Sequence, residues 1–427
     1  MLGSIRYAGH RSGADLGLFV QTLASPSFSN TLEGGNHFTY HFSPLLFVFV
    51  PLVHVVHSPV VLIVAQAVAG ALVAPPVFLL ARKRMAAHLA RDVAVLALLY
   101  PPLAGVTFTD FHENGFAPAA ALWLVWAFDA RRYPAAVTFA VVLLAIKEDE
   151  AVILTACGAV AIAWFARRGE QRALAVSAGI VALASITFVA YFTWVRPLAG
   201  GHDAWNPSHF YAWDRNGPGT SGLDLRGRAS YLLEAMVPLA LVPLCSRIVV
   251  FAVPPMAEVL LSHLSITYTM GQHYAGAWIG WVLAAETFAV ARLARGSLPR
   301  ARLAVRVSTV ISVLILALAS PTHWGHFLHL PGREDRALDA LSARIPESAS
   351  IGTFDELYAH LGLRPRAQIG LQPAPDYAID DDRYDGAAWV GRWRPLLRRW
   401  VRDGHYRPLA SQDGVTLFAH SGPERQD

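Results

Sequence analysis

The chain has little charge, little cysteine and almost no lysine. Only 15% of its 427 residues are charged, which is too few for a soluble protein of this length. Both cysteines, Cys157 and Cys245, lie in apolar stretches, so neither a disulfide framework nor a cysteine metal site is expected. Lysine occurs only at Lys83 and Lys147. Arginine therefore supplies nearly all of the positive charge, as in proteins from GC-rich bacterial genomes.

What the chain has in abundance is apolar residues. They make up 54% of the sequence, and the mean hydropathy is +0.38, which indicates a polytopic membrane protein. Most arginines lie in short loops between apolar runs, where they are typical of cytoplasmic anchors rather than of a nucleic-acid surface. We therefore expect a multi-pass protein of the bacterial plasma membrane, with membrane lipid and no nucleic acid as a partner.

The apolar runs predict about ten membrane spans in a mostly α-helical fold. The predicted spans cover residues 59–81, 93–108, 116–128, 135–146, 151–166, 173–195, 231–245, 248–264, 274–290 and 303–318. A further apolar segment, 42–56, is short and interrupted by Pro44 and Pro51. Because a span normally needs about 20 residues, we expect a juxtamembrane or re-entrant helix there, with a short span as the alternative.

Basic clusters occur in every second loop, and this pattern predicts the sides of the membrane. By the positive-inside rule, the cytoplasmic loops are 82–92, 129–133, 167–172, 246–247 and 291–302. If 42–56 does not cross, both ends of the chain face outward, together with loops 109–115, 147–150, 196–230 and 265–273. An outward start with no signal peptide is hard to insert, so we expect one further helix upstream of the polar first 39 residues.

Three regions follow from this pattern. Residues 1–58 form an outer loop with the helix 42–56, residues 59–320 form the transmembrane helical domain, and residues 321–427 form a small extracytoplasmic α/β domain. In the last region we predict strands at 349–354, 367–371 and 377–379, helices at 355–361 and 393–402, and a closing hairpin of 406–411 with 415–420. Asp380, Asp381 and Asp382 follow a strand, where they form either a metal site or a solvated turn.

Ionisable residues cluster at the predicted outer surface, where acids beside a bilayer must be paired, hydrated or functional. The loop 107–118 carries Asp110, His112 and Glu113, which suit a divalent cation with mixed nitrogen and oxygen ligands, a hydrogen-bonded scaffold or a substrate site. No cofactor is certain beyond this candidate cation. Lys147 with Glu148 and Asp149 forms either an ion pair or a site for a lipid phosphate.

Six further residues, in three groups, are candidates for substrate binding at the same surface. Arg226 and Arg228 lie in an outward loop, against the usual charge bias, and are candidates for a lipid phosphate. His273, at the outer end of a span, is a ligand or a packing histidine. Trp205, Tyr211 and Trp213 either stack on a sugar or belong to an interfacial aromatic belt.

An ordered set of short motifs resembles a family of uncharacterised bacterial polytopic membrane proteins, a domain of unknown function. The motifs are Asp15-Leu16-Gly17-Leu18-Phe19 with Gln21, His41 through Leu46, Asp110-Phe111-His112 with Glu113 and Phe116, Lys147-Glu148-Asp149, His273-Tyr274, and in the tail Pro346, Ser350, Asp376-Tyr377 and Gly414 through Phe418. The chain departs from the family in lacking the first helix. It also has Val20 where the family pattern leads us to expect an aspartate.

The architecture is in turn similar to that of the C-type glycosyltransferases (GT-C). This resemblance implies transfer of a sugar from a polyprenyl-phosphate carrier on the outer face of the membrane, with an acid in the first outer loop. By this resemblance, Asp15 is the candidate catalytic base, since its apolar neighbours would raise its pKa. The alternative is that Asp15 is a helix-capping aspartate. A transporter or a non-enzymatic envelope protein remains the alternative function, because fold alone does not establish chemistry.

Overall fold

The computed structural model describes residues 1–200, 223–322, 324–384 and 388–422. The chain divides into two compact units. The first comprises Met1–His37, Phe47–Val64 and His323–Asp427, and the second comprises Phe38–Leu46 and Ala65–Thr322. The first unit thus joins both ends of the chain, which the sequence analysis treated as separate regions.

Long apolar helices dominate the fold, as predicted. In the described part of the chain, those with the length and composition of a membrane span are Val60–Arg82, Asp149–Ala166, Gln171–Leu198, His273–Gly296 and Leu298–Leu318. A sixth is formed if the pair Ala87–Leu98 and Pro101–Phe108, bent by 49°, is one broken span. The bend falls at a Pro101-Pro102 start, where proline cannot continue the preceding helix.

The remaining predicted spans form shorter elements, so length and composition support five or six spans rather than ten. Helices Ala117–Asp129 and Tyr133–Leu144 have 13 and 12 residues. Residues 225–261 form the helices Leu225–Met236 and Val253–Leu261 with 3₁₀ turns between them. Prolines enter three of the pieces in residues 225–261 near their starts, and Ala240 and Leu241 have positive φ angles of 49° and 60°. The helical path is therefore interrupted where the sequence predicted two straight spans.

Residues 42–56 form a short helical segment, as the sequence suggested. A 3₁₀ turn at Pro44–Phe49 leads into the helix Val50–Val56, and several of its apolar side chains are exposed, including Val55 at 80%. Exposed apolar side chains of this kind suit a helix lying at a membrane surface.

Two glycines allow close packing in the second unit. Helix His273–Gly296 carries Gly276 and Gly280, and a Cβ atom at these positions would overlap the carbonyls of Asn114 and Pro118. Small residues four positions apart let helix backbones approach closely in membranes. This contact holds residues 114–118 against the start of the helix and so positions the loop before them.

The first unit contains a five-stranded mixed sheet, which confirms the predicted small α/β domain. A two-stranded ribbon, β1 (Ser29–Asn30) and β2 (Gly35–Asn36), precedes it. The sheet strands are β3 (Ile351–Thr353), β4 (Ala367–Ile369), β5 (Tyr377–Asp381), β6 (Tyr406–Gln412) and β7 (Val415–His420), in the order β4-β3-β5-β7-β6. Strand β3 pairs in parallel with β4 and β5, whereas β7 pairs antiparallel with β5 and β6. The helices of this region are Trp324–Phe327, Arg333–Ser342, Asp355–Leu361 and Ala388–Arg402.

The N-terminal helices Leu2–Ala8 and Ala14–Ala24 belong to the same unit. The Gln21 amide donates to the carbonyls of Arg364 and Ala367, and the Tyr358 hydroxyl donates to Gln21 Oε1 at 2.8 Å. A Cβ at Gly17 would lie 2.6 Å from Tyr358. These contacts tie helix Ala14–Ala24 to the helix Asp355–Leu361.

Two of the three acids at the end of β5, Asp380 and Asp381, are paired with arginines. Arg394 donates to Asp380 at 2.7 Å, and Arg383 donates to Asp381 at 2.6 Å. Asp381 is also fully buried. This pairing supports a structural turn rather than the metal site considered from the sequence.

Candidate functional site

The loop 107–118 is held in shape by Gln66, a single amide in an otherwise apolar helix. Its Nε2 lies within hydrogen-bond reach of the carbonyls of Val106, Thr107 and Asp110, at 2.9, 3.2 and 2.5 Å. Its Oε1 accepts from the backbone N–H of His112 at 2.7 Å. One side chain thus both donates to and accepts from the backbone of the loop.

Glu113 is the buried centre of the cluster in this loop. Its side chain has no solvent exposure; His112 Nδ1 lies 2.9 Å from Oε2, and Lys147 Nζ lies 3.9 Å from Oε1. Lys147 is itself only 7% exposed and lies 5.9 Å from the centre of the Tyr274 ring. A buried carboxylate requires such a partner, because an unpaired charge in a low-dielectric site is costly.

The pKa shifts of these groups fix their charge states near neutral pH. Burial would raise the pKa of Glu113, but His112, Lys147 and His41 outweigh it and hold that pKa well below its usual range. Burial, aided by Lys147 and His41, lowers the pKa of His112 to about 4 despite the neighbouring Glu113. Burial would lower the pKa of Lys147, but the surrounding acids raise it above its usual range. The cluster therefore contains a carboxylate, a neutral imidazole and a permanent ammonium.

Glu148 makes a second buried contact beside this cluster. Its carboxylate accepts from the Phe42 backbone N–H at 2.8 Å and lies 2.9 Å from His41 Nδ1. Burial alone would raise the pKa of Glu148 and lower that of His41. The attraction between the two groups outweighs burial, so the pKa of Glu148 is lowered and that of His41 is raised. Asp149 follows in the first turn of the helix Asp149–Ala166.

His273 joins the cluster through ring stacking. Its imidazole lies 3.4 Å from that of His112, with the planes 11° apart, and 4.1 Å from the Tyr274 ring. Asp110 contributes its backbone carbonyl to Gln66. The structure thus brings together, within the second unit, the loop 107–118, Lys147-Glu148-Asp149 and His273, which the charge pattern predicted to lie on one side of the membrane.

Asp15, Arg226 and Arg228 belong to other elements of the chain. Asp15 belongs to the first unit and sits in the first turn of the helix Ala14–Ala24. Arg228 is buried; it donates to the carbonyls of Leu260 and Ser262 at 2.7 and 2.8 Å and lies over the Tyr268 ring, which favours a structural role. Arg226 is exposed. Trp205, Tyr211 and Trp213 fall outside the described residues.

The carboxylate of Glu113 is a poor ligand for a metal ion in this arrangement. His112 Nδ1 already faces one oxygen of Glu113, and the ammonium of Lys147 lies beside the other. A second cation on the same carboxylate would be repelled by this ammonium. The arrangement is better suited to holding a charged lysine in place, and this lysine has the chemistry to bind a phosphate oxygen.

A family model described as a predicted membrane protein (DUF2079) matches residues 11–417. The chain belongs to this family. No curated protein sequence matches it. Among solved structures, ArnT from Cupriavidus metallidurans bound to undecaprenyl phosphate is similar at a TM-score of 0.63 and 13% identity, over 98% of this chain and 96% of that one. ArnT of the same organism in the apo state is similar at a TM-score of 0.53 and 12% identity, over 84% and 83% of the two chains. The DUF2079 chain thus has a GT-C-like architecture in the membrane.

Four residues of the cluster were not predicted as site residues. Gln66 and Glu258 are single polar residues in apolar stretches, a signal that polar groups in membrane segments are functional. Glu258 lies within electrostatic range of Asp149, Lys147 and Glu148. His41 and Tyr274 stand within motifs of the family resemblance, but their sequence context gave no indication of a partner far away in the chain.

Proposed function

We propose that this protein is a GT-C-like glycosyltransferase that uses a polyprenyl-phosphate-linked sugar at the outer face of the membrane. The observation that carries the proposal is the fold similarity over 98% of the chain to a structure containing undecaprenyl phosphate. An identity of 13% supports the fold alone, so the substrate is argued from the chemistry of the cluster.

Lys147 is the proposed anchor for the lipid phosphate. It keeps its charge at any physiological pH, and Glu113 and Tyr274 hold its side chain from two directions. A fixed cation in a partly dehydrated site stabilises a phosphate, including the charge that develops on it as a leaving group. Glu148 orients the adjoining backbone through His41 and Phe42. Asp110 and Asp149 are the proposed contacts to the acceptor.

Asp15 is the proposed base that removes the acceptor proton. It stands in the first turn of the helix Ala14–Ala24, and the family resemblance places an acid in this first outer loop. A carboxylate in general-base catalysis contributes about 10²–10⁴-fold to the rate. Outward orientation of this segment and of the C-terminal domain is part of the proposal.

The test is complementation of a deletion strain, with lipid-linked sugars and envelope glycans as the readout. Asp15→Asn, which keeps the size and polarity of the side chain, should lower glycan transfer at least 100-fold at normal membrane abundance. Asp92→Asn, at an exposed acid in the predicted cytoplasmic loop, is the matched control and should complement fully. Unchanged glycans in the deletion strain would reject the glycosyltransferase function outright.

A transporter is the second candidate, and Glu286 is the observation that favours it. This acid lies in the middle of the helix His273–Gly296 at 2% exposure, and neither carboxylate oxygen has a hydrogen-bond partner in the described part of the chain. Buried mid-span acids serve as proton relays in transporters. If Glu286→Gln leaves complementation intact while Asp15→Asn abolishes it, the enzyme is favoured; the opposite pattern favours transport.

A further inference from the structure

The second unit contains a large cavity that is separate from the cluster around Glu113. Its volume is about 1200 Å³, above the usual range of roughly 300–1,000 Å³ for small-molecule pockets. It is bordered by side chains from the helices Ala117–Asp129, Asp149–Ala166 and His273–Gly296. We name it the basic cavity, after the residues at its charged end.

Eight cationic side chains and only two carboxylates line the basic cavity. One carboxylate, Asp129, is bound by Lys83 at 3.2 Å and by Arg84. The other, Glu170, lies 3.3 Å from Arg168. The two carboxylates are thus paired with three of the eight cations, and the other five cations give the cavity lining a net positive charge.

Five arginines of the cavity have no carboxylate partner among the described residues; one of them, Arg292, donates to the Cys245 carbonyl at 2.9 Å, which leaves four. Arg131, Arg167, Arg247 and Arg295 have exposed side chains, and none of them is within salt-bridge distance of an acid in the described parts of the chain. Guanidinium groups that converge without acids attract phosphate, because their planar donors match its oxygens in pairs.

The other part of the cavity wall is aromatic. Trp164 packs edge-on against Phe251 with ring centres 6.1 Å apart, and Phe251 stacks on Trp281 at 6.2 Å. Trp281 is only 4% exposed, and its indole N–H has no hydrogen-bond acceptor among the described residues. A buried donor left without an acceptor is costly, so an acceptor supplied by a ligand would satisfy it.

Two cations connect the charged part of the wall to the aromatic part. The Arg168 guanidinium lies 5.4 Å from the centre of the Trp164 ring, and that of Arg84 lies 4.2 Å from the centre of the Phe288 ring. The cavity is therefore amphipathic within a single continuous lining, as expected for an amphipathic ligand and not for a soluble anion.

We propose that the basic cavity binds one anionic phospholipid. The phosphate of the headgroup pairs with the unpartnered arginines, an acyl chain lies along Trp164 and Phe251, and an ester carbonyl accepts the Trp281 N–H. Basic pockets between membrane helices bind anionic lipid headgroups in this way. No residue of the proposed sugar-transfer site lines this cavity, so the inference stands independently of that function.

The first experiment is native mass spectrometry of the full chain in detergent with added phosphatidylglycerol, or with phosphatidylcholine of the same acyl chains. One phosphatidylglycerol per chain should be retained, and phosphatidylcholine should not. The variant Arg167→Gln/Arg247→Gln should bind phosphatidylglycerol about 25-fold more weakly, at about fivefold for each cation. The control Arg300→Gln/Arg306→Gln removes the same charge at exposed arginines outside the cavity and should change binding less than about twofold.

The second experiment separates the cavity from a merely basic surface. Ala161→Phe fills the cavity from its lining without changing charge, and it should abolish lipid retention. Trp281→Phe removes the indole donor at nearly constant shape and should weaken lipid binding about fivefold. This variant also tests the cavity if Ala161→Phe does not fold.

Several results would overturn the proposal: equal retention of the two lipids, equal losses in the two arginine pairs, or full binding by both Ala161→Phe and Trp281→Phe. Displacement by excess inorganic phosphate would instead identify a site for soluble anions.

Discussion

Removing the charge of Lys147 should destabilise the second unit strongly. Lys147→Met leaves the fully buried Glu113 carboxylate without its ammonium, which lies 3.9 Å away. Two unit charges at that distance attract each other by about 4 kcal/mol at an effective dielectric constant of 20. Breaking a buried pair by removing one partner costs about 3–5 kcal/mol. Both routes give a loss near 4 kcal/mol, which corresponds to a fall in Tm of about 10 °C for a unit of this size.

The assay is thermal unfolding of the full chain in detergent, followed by the fluorescence of its 12 tryptophans. Lys147→Arg preserves the charge and should lose less than half as much stability. Lys147→Met/Glu113→Gln removes both charges and should recover most of the loss, because the fully buried Glu113 no longer carries a charge without its ammonium.

Two outcomes would refute this reasoning. If Lys147→Met melts within about 1 °C of the wild type, the carboxylate of Glu113 does not depend on the ammonium. If the double variant is no more stable than the single one, the two residues are not energetically coupled. The double variant also separates stability from function: a stable protein that no longer binds polyprenyl phosphate supports the phosphate role of Lys147, and full retention of binding rejects it.

Three further predictions concern neighbouring contacts. The pKa of His112 falls from about 6.5 to about 4 on folding, so the unfolded chain binds more protons than the folded chain between these pH values. The free energy of unfolding should therefore fall by about 3 kcal/mol as the pH drops from 6.5 to 4. A plot of Tm against pH should show this slope, and His112→Gln should flatten it. Gln66→Leu leaves the carbonyls of the loop 107–118 and the His112 N–H without this hydrogen-bond partner. It should lower the free energy of unfolding by about 1–3 kcal/mol and reduce glycan transfer. An unchanged Tm would contradict this prediction. Tyr358→Phe removes the bond to Gln21 and should cost about 1 kcal/mol, detectable as faster proteolysis of the first unit; equal proteolysis would show that the bond is dispensable.

The sequence was most informative where local chemistry repeats along the chain. Hydropathy predicted the long helices, because a membrane span must be continuous and apolar whatever surrounds it. Alternating strands and helices after residue 321 predicted the small α/β domain, and the observed β5 and β7 overlap the predicted strands closely. The prediction of straight spans at 231–245 and 248–264 was wrong. Composition alone does not show that prolines at helix starts and the positive φ angles of Ala240 and Leu241 interrupt the helices there.

The sequence alone determined that this chain is a helical membrane protein, that its acidic clusters and Lys147 lie at the ends of apolar segments, and that its motifs resemble a known membrane family. Tertiary structure decided which of those groups meet. Glu113 faces Lys147, which is 34 residues away in the sequence. Glu148 faces His41 at a separation of 107 residues, and Gln66 binds His112 of the loop at a separation of 46 residues. Hydropathy is a property of each residue and its neighbours, whereas burial pairs a charge with whatever the fold brings beside it. The role of the loop 107–118 therefore depends on contacts that its own residues do not encode.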